Sequence, residues 1–126
     1  MNQLQKEDQQ KLTIALLDIM GFWGVKDSIK LSLLGLKTIK ERHLMSYKNG
    51  NKCFIFDADL IERSKIILGI NSSLATTYPQ NSNYHAIWFK TKMKKFKGKT
   101  PLELMIKDKK GLKIVWHYLD CTQTWN

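Results

Sequence analysis

The sequence predicts an all-α protein, and three features of its pattern support this fold class. Apolar residues recur at helical spacing along most of the chain, the breaks between these runs are two to six residues long, and no Gly/Ser/Pro linker divides them. A length of 126 residues and a hydrophobic content of 43% suffice for one folded unit with its own core. We therefore expect a single helical unit in which an N-terminal bundle (residues 1–56) is continuous with a C-terminal bundle (residues 57–126).

The N-terminal bundle is predicted to contain three helices, each followed by a stop signal. Leu12, Leu16 and Met20 lie at helical spacing in the first of them. The helices cover residues 6–20, 25–34 and 38–47, and their stops are Gly21, Gly35 and the turn signal at residues 48–51. Residues 52–56 form a short apolar run that fits either a strand or an extended linker.

The C-terminal bundle begins with two predicted helices that a glycine separates. Asp59, three residues before Glu62, has the form of a helix start, and this helix is expected to end at Gly69. A second helix restarts at Asn71 and is ended by Pro79. The next helix opens at Asn81 or Asn83, carries Tyr84, Ile87 and Trp88, and gives way to residues 90–99.

The clearest local signal is the segment Thr100-Pro101-Leu102-Glu103. A threonine at the N-cap accepts a backbone hydrogen bond, a proline at the first helical position loses none, and a glutamate two positions further reaches back to the cap. A helix therefore begins there. A last helix follows residues 108–111 and carries Leu112, Val115, Trp116 and Leu119 on one apolar face. Residues 121–126 form a polar tail in which Trp125 fits either a partner's pocket or a disordered terminus.

The charge of the chain is concentrated in its second half. The chain has 21 basic and 11 acidic side chains, which give a net charge of +10. Residues 1–62 carry 9 basic and 8 acidic side chains, whereas residues 63–126 carry 12 and 3. Residues 90–99 alone hold six lysines, no acid and one aromatic. Such a run is suited to phosphates or to an acidic protein face, and the competing interpretation is a solvated, mobile loop.

The sequence contains no motif for catalysis, for a metal or for a cofactor. His43, His85 and His117 are widely spaced, and none pairs with a cysteine at the spacing of known zinc sites. The patterns GxGxxG and GxSxG and the P-loop are absent. We therefore expect no enzyme activity, no metal site and no cofactor. Two cysteines and a polar N-terminus without a signal peptide favour the cytoplasm.

The most apolar stretch of the chain covers residues 12–25. These 14 residues, which Asp18 interrupts, are too few to span a bilayer. A buried helix is the favoured interpretation, and a helix lying in the membrane interface is a weaker alternative.

The predicted helices over 25–34 and 38–47, with Gly35 between them, have the arrangement of a helix-turn-helix. The second of them would be the recognition helix. The lysines suit phosphates, and the arginine also suits a base edge. The candidate DNA-binding residues are Lys37, Thr38, Lys40 and Arg42. One departure from the motif is Glu41, which stands where recognition helices usually keep an apolar residue.

The order of these features resembles the Xre/MbcA/ParS antitoxin family over roughly residues 14–126. The stretch from Trp88 to Leu102 is the most specific part of the resemblance. The matching residues are Leu33-Leu34-Gly35, Leu60-Ile61-Glu62-Arg63, Leu68-Gly69-Ile70, Leu74, Tyr78-Pro79, Trp88, Phe96-Lys97-Gly98-Lys99-Thr100-Pro101-Leu102, Gly111-Leu112, Val115 and Tyr118-Leu119-Asp120. Among them Gly35, Trp88, Phe96, Gly98, Thr100, Pro101, Leu102 and Leu119 are expected to have structural roles.

The resemblance implies an N-terminal helix-turn-helix joined to a C-terminal toxin-binding region. It implies an antitoxin of a type II toxin–antitoxin system, which binds and occludes a RES-domain toxin that consumes NAD. Repression of its own operon is a second implied role, for which a homodimer is expected at a palindromic operator. The toxin-binding residues that the resemblance implies are Lys94, Lys95, Lys97, Lys99, Thr122, Gln123, Trp125 and Asn126.

The chain departs from this family pattern before Phe96, where Met93-Lys94-Lys95 replace a segment that usually carries an asparagine. This departure makes the surface far more basic. The alternative function is a stand-alone helix-turn-helix regulator, or a general nucleic-acid binder, whose basic C-terminal half contacts phosphates. Such a protein would lose affinity steeply as salt rises.

Overall fold

A computed structural model describes residues 5–79 and 82–124 and confirms the all-α class. Most of the described residues lie in helices, and none of them lies in a β-strand. Two short 3₁₀ turns, Glu41–His43 and Lys94–Phe96, lie between α-helices. The α-helices are α1 (Lys6–Phe22), α2 (Asp27–Leu34), α3 (Leu44–Lys48), α4 (Ala58–Thr77), α5 (Ser82–Phe89), α6 (Pro101–Lys107) and α7 (Lys109–Thr124).

The chain forms two compact units, Met1–Ser64 and Lys65–Asn126, where the sequence predicts one. The boundary lies inside α4, whereas the predicted boundary at residues 56 and 57 lies just before this helix. Each unit buries an apolar set of its own. The core of the N-terminal unit includes Leu16, Leu17, Met20, Trp23, Leu33, Leu34, Leu44 and Phe54, and that of the C-terminal unit includes Ile67, Ile70, Leu74, Phe89, Met105, Leu112, Val115 and Leu119.

The most apolar stretch, residues 12–25, is a core segment of the N-terminal unit. Its helix α1 extends two residues beyond the predicted end, through Gly21 to Phe22. Leu16, Leu17 and Met20 are almost completely buried, so the protein's own residues cover the face that an interfacial membrane helix would present to lipid. None of the helices in the described part of the chain is long and apolar enough to cross a membrane.

The predicted helix over residues 38–47 is wrong in its first half. After α2, Gly35 adopts the left-handed conformation with φ of 68°, and the Leu36 N–H donates to the Leu31 carbonyl. The chain then turns at residues 37–39, and α3 begins only at Leu44. Adjacent β-branched side chains at Thr38 and Ile39 disfavour a helix there, and no side chain caps a start. The tight helix-turn-helix therefore does not form.

Residues 52–56 are an extended linker, which settles the alternative between strand and linker. Phe54 is buried, and its backbone N–H donates to the Thr13 hydroxyl at 3.0 Å. The Phe54 ring stacks on Tyr47 with centroids 4.9 Å apart. Because the Phe54 N–H has a side-chain partner on α1, the segment needs no neighbouring strand to satisfy this buried donor.

Helix α4 is continuous where the sequence predicts two helices. Its first turn is capped by Asp57, whose carboxylate accepts the Leu60 N–H at 2.8 Å, so the predicted start at Asp59 is two residues late. The predicted stop at Gly69 is also wrong. A Cβ atom at this position would overlap the ring of Trp116 on α7, so the glycine permits close helix packing and does not end the helix.

The start of α6 confirms the predicted capping box. The Thr100 hydroxyl accepts the Glu103 N–H at 3.1 Å, and the Glu103 carboxylate accepts the Thr100 N–H at 3.0 Å. Helix α7 begins at Lys109, before Gly111, and the Asp108 carboxylate accepts the Gly111 N–H at 2.8 Å in its first turn. Glycine at position 111 lets α7 approach α6 closely, because a Cβ there would overlap the Leu104 carbonyl. The backbone of residues 121–124 continues α7, so the predicted irregular tail is helical at least to Thr124.

Candidate partner-binding surface

The lysine loop, residues 90–99, begins at a buried aromatic end of α5. Trp88 and Phe89 are 3% and 0% exposed, and their rings meet edge to face. The chain leaves α5 through two bonds to the Ile87 carbonyl, from the Lys90 N–H at 3.0 Å and from the Thr91 hydroxyl at 2.8 Å. These contacts fix the direction in which the loop starts.

The backbone of the lysine loop is hydrogen-bonded to itself across its mouth. The Met93 N–H donates to the Lys99 carbonyl at 3.1 Å, and the Gly98 N–H donates to the Met93 carbonyl at 2.9 Å. Between these residues the chain makes the 3₁₀ turn and passes through left-handed conformations at Lys97 and Gly98, with φ of 57° and 82°. A solvated, mobile loop would not keep these backbone hydrogen bonds. The lysine loop therefore has a defined shape.

Phe96 anchors the lysine loop in the C-terminal unit. Its side chain is 6% exposed, and its ring meets that of Tyr118 edge to face with centroids 5.2 Å apart. Tyr118 also lies parallel to Trp88, at 6.5 Å. The loop is thus tied to α5 and α7 through one aromatic cluster, and the capping box of Thr100 holds its far end.

The six lysines of this loop all lie on the surface. Lys90, Lys92, Lys94, Lys95, Lys97 and Lys99 are exposed. None of them forms an ion pair with another described residue. Glu103 does not neutralise them by direct pairing, because its carboxylate is bonded to the Thr100 backbone. This bond, with lesser contributions from Lys92 and Lys99, lowers the pKa of Glu103 below its ordinary value. The loop therefore presents six like charges to solvent from a backbone of defined shape.

In the C-terminal unit, the residues for which the resemblance implies a structural role lie in the lysine loop, in the helices beside it and in the turns around it. Trp88, Phe96, Pro101 and Leu119 are buried, Leu102 is half-buried, and Gly98 takes a left-handed turn. Of the predicted toxin-contacting tail, the backbone of Thr122 and Gln123 lies in α7. Trp125 and Asn126 lie outside the described residues.

The candidate DNA-binding residues are exposed but do not share a helix. Lys37 and Thr38 lie in a turn, Lys40 is extended, and Arg42 lies in the 3₁₀ turn with its Nε 3.4 Å from the His43 ring. The prediction that these side chains line one recognition helix is therefore wrong. A pocket of about 330 Å³ lies between α2 and residues 36–41, and Leu31, Ile39 and Glu41 form part of its wall.

Arg63 has a role in the N-terminal unit that sequence reasoning missed. Its guanidinium donates to Asp59 at 2.9 Å and to the Leu33 carbonyl at 3.1 Å, and it lies against Gly35. It therefore caps the C-terminal end of α2 from another helix. Asp59 and Arg63 are one helical turn apart, and this spacing in the sequence is the pattern from which their ion pair could be predicted.

A scan of protein-family models finds no match to this sequence, and a search of curated proteins finds none either.

Proposed function

We propose that this chain is an antitoxin of a type II toxin–antitoxin system, which binds a RES-domain toxin and occludes the site where the toxin consumes NAD. The protein acts by binding and carries out no reaction. The observation that carries the proposal is the lysine loop: six exposed cations on a hydrogen-bonded backbone that Phe96 anchors. The family resemblance of the sequence supplies the identity of the partner.

The charge of the lysine loop indicates what its partner surface must offer. Six unpaired ammonium groups repel one another and attract carboxylates or phosphates across a water-filled gap. Such a surface raises the rate of association and selects against basic partners, whereas exposed lysines contribute less to the apolar centre of an interface. Ile87, 58% exposed at the turn that opens the loop, provides an adjacent apolar contact. We therefore expect an acidic rim on the toxin.

The alternative of a stand-alone helix-turn-helix regulator has less support. It depends on a recognition helix over residues 38–47, and α3 (Leu44–Lys48) covers only the last four of these residues. Nine residues, 35–43, separate α2 from α3, which is far longer than the turn of a helix-turn-helix. The remaining basic residues are suited to phosphates without reading a sequence.

Co-expression of the chain with the RES-domain protein encoded beside its gene tests the proposal. We expect the toxin alone to deplete NAD and stop growth, and the chain to restore both. A variant without residues 121–126, checked for a native circular-dichroism spectrum, should protect less, because these residues belong to the toxin-binding region. Failure of the full chain to bind the toxin or to restore NAD, or a neighbouring gene of another class, would contradict the proposal.

A further inference from the structure

The pocket of about 330 Å³ beside α2 combines an apolar floor with a polar rim. Leu31, which is 6% exposed, lies at the floor, and the half-buried side chains of Leu36 and Ile39 lie beside it. Ser28 and Ser32, one helical turn apart on α2, form one side of the rim. Pockets of about 300–1,000 Å³ that combine apolar walls with a few polar groups are typical of small-molecule sites.

Hydrogen bonds hold both ends of the segment that closes this pocket. Gly35 takes the left-handed conformation, and the Leu36 N–H after it donates to the Leu31 carbonyl at 3.0 Å. At the far end, the His43 N–H donates to the Lys40 carbonyl at 2.9 Å. The walls are therefore formed before a ligand arrives, and a preformed site binds without the cost of ordering its own residues.

Two opposite charges lie in the wall of this pocket and do not pair with each other. Lys37 and Glu41 are both exposed, and neither forms an ion pair with another described residue. A ligand with one carboxylate and one ammonium group can pair with both residues at once. A ligand with only one of these charges would meet a like charge in the same pocket. The wall therefore favours a zwitterion.

We propose that this pocket binds a small apolar zwitterion, which is a free amino acid or a dipeptide with aliphatic side chains. The carboxylate of the ligand pairs with Lys37 and its ammonium group with Glu41, while its aliphatic part covers Leu31 and Ile39. The serine hydroxyls of the rim donate and accept hydrogen bonds, which suits the remaining polar atoms of the ligand. No bond is made or broken. This inference does not depend on the proposed function.

NMR titration of the full, isotope-labelled chain with L-leucine and with L-leucyl-L-leucine tests this proposal. We expect saturable shifts of the Leu31, Leu36 and Ile39 amide signals, and none from residues 65–126. The probe that binds more tightly distinguishes an amino-acid site from a dipeptide site. N-acetyl-L-leucine amide, which lacks both charges, and glycine, which lacks the aliphatic part, should bind about fivefold more weakly or worse.

Lys37→Gln and Glu41→Gln should each weaken the binding of both probes about threefold or more. The matched controls Lys40→Gln and Glu7→Gln remove exposed charges of the same unit outside the pocket lining and should bind as the native chain does. The amide spectrum of each variant distinguishes loss of the site from loss of the fold.

Three outcomes would overturn the proposal. They are the absence of saturable shifts at the pocket with both probes, equal binding of N-acetyl-L-leucine amide, and unchanged binding in Lys37→Gln or Glu41→Gln.

Discussion

Gly69 lies in the middle of α4, where one added methyl group would overlap the ring of Trp116. Alanine favours a helix over glycine by about 1 kcal/mol. Forcing a methyl group into a packed interface costs about 1–3 kcal/mol. The steric cost exceeds the helical gain because an aromatic ring packed between two helices cannot move aside freely.

We therefore expect Gly69→Ala to lower the free energy of unfolding by up to about 2 kcal/mol, measured in urea. The matched control is Gly21→Ala in α1, where the nearest atom to a new Cβ is the Lys30 Nζ at an ordinary 3.6 Å. This control should be neutral or stabilising by up to about 1 kcal/mol. Equal effects of the two substitutions would contradict the packing role of Gly69.

Asp27 forms the charged centre of the N-terminal unit. Its carboxylate accepts from Lys30 at 2.9 Å and from Lys48 at 3.0 Å, and the Lys30 side chain is only 7% exposed. The hydrogen bond from Lys30, which outweighs the opposing effect of burial, lowers the pKa of Asp27 below its ordinary value of 3.8. The folded state therefore favours the carboxylate form.

Because the pKa of Asp27 is lower in the folded state, its carboxylate contributes to the free energy of unfolding above pH 3.8. This contribution is lost as the pH falls through the folded-state pKa. Asp27→Asn should therefore be less stable than the native chain at pH 7, and the gap should narrow below about pH 4. Urea unfolding at a series of pH values measures this gap. Asp18→Asn, which removes an exposed carboxylate of α1, is the control. A gap for Asp27→Asn that stays constant down to pH 2.5, or that matches the control, would count against this account.

At the scale of elements, the lysine loop depends on the ring of Phe96. An edge-to-face aromatic pair contributes about 0.5–1.5 kcal/mol beyond its buried area. Phe96→Leu keeps an apolar side chain but removes the contact with Tyr118. We expect the loop to open more readily by about 1–2 kcal/mol, and hydrogen exchange at the Gly98 and Lys99 amides to quicken about 5- to 30-fold.

NMR measures this exchange at each amide, and Ile87→Ala is the control. Because the Ile87 side chain is 58% exposed, its removal should change the exchange rates of the Gly98 and Lys99 amides little. Unchanged exchange in Phe96→Leu would mean that the backbone bonds hold the loop without the ring.

The elements differ in how far the sequence could predict them, and the difference has a physical cause. The capping box at Thr100 was predictable because its hydrogen bonds join residues three apart. Gly69 was misread as a stop, and the cap at Asp57 was missed. The packing role of Gly69 depends on Trp116, a residue 47 positions away in the sequence. The start of α3 was misplaced because periodicity continues through residues 38–43, although Thr38 and Ile39 disfavour a helix.

The candidate site was predictable in composition and not in shape. Six lysines in ten residues are visible in the sequence, whereas the bond between Met93 and Lys99 and the burial of Phe96 are not.

At the scale of the whole molecule, the two units differ in charge. Residues 1–64 carry ten basic and eight acidic side chains, whereas residues 65–126 carry eleven and three. The unit that contains the candidate DNA-binding residues is thus nearly neutral, and the unit that contains the lysine loop is strongly basic. Charge of this kind favours contact with anionic surfaces of any sequence.

We therefore expect any DNA binding to be independent of sequence. Fluorescence anisotropy should give the chain equal affinities, within about threefold, for its own promoter and for a scrambled fragment, and both should weaken as salt rises. Specific repressors prefer their sites by about 10³-fold or more. A promoter preference above tenfold that Lys37→Ala with Arg42→Ala removes would restore the helix-turn-helix interpretation.

The central claim, that the lysine loop guides the chain to its toxin, is tested most directly by the association rate of the two proteins in stopped-flow measurements. The test variant replaces Lys94, Lys95, Lys97 and Lys99 by glutamine, and the matched control replaces the exposed Lys6, Lys26, Lys52 and Lys65, with the same change in net charge. We expect the loop variant to associate at least about tenfold more slowly at low salt, with the difference shrinking as salt rises, and the control to change about twofold. Equal rates for the two variants would contradict the claim.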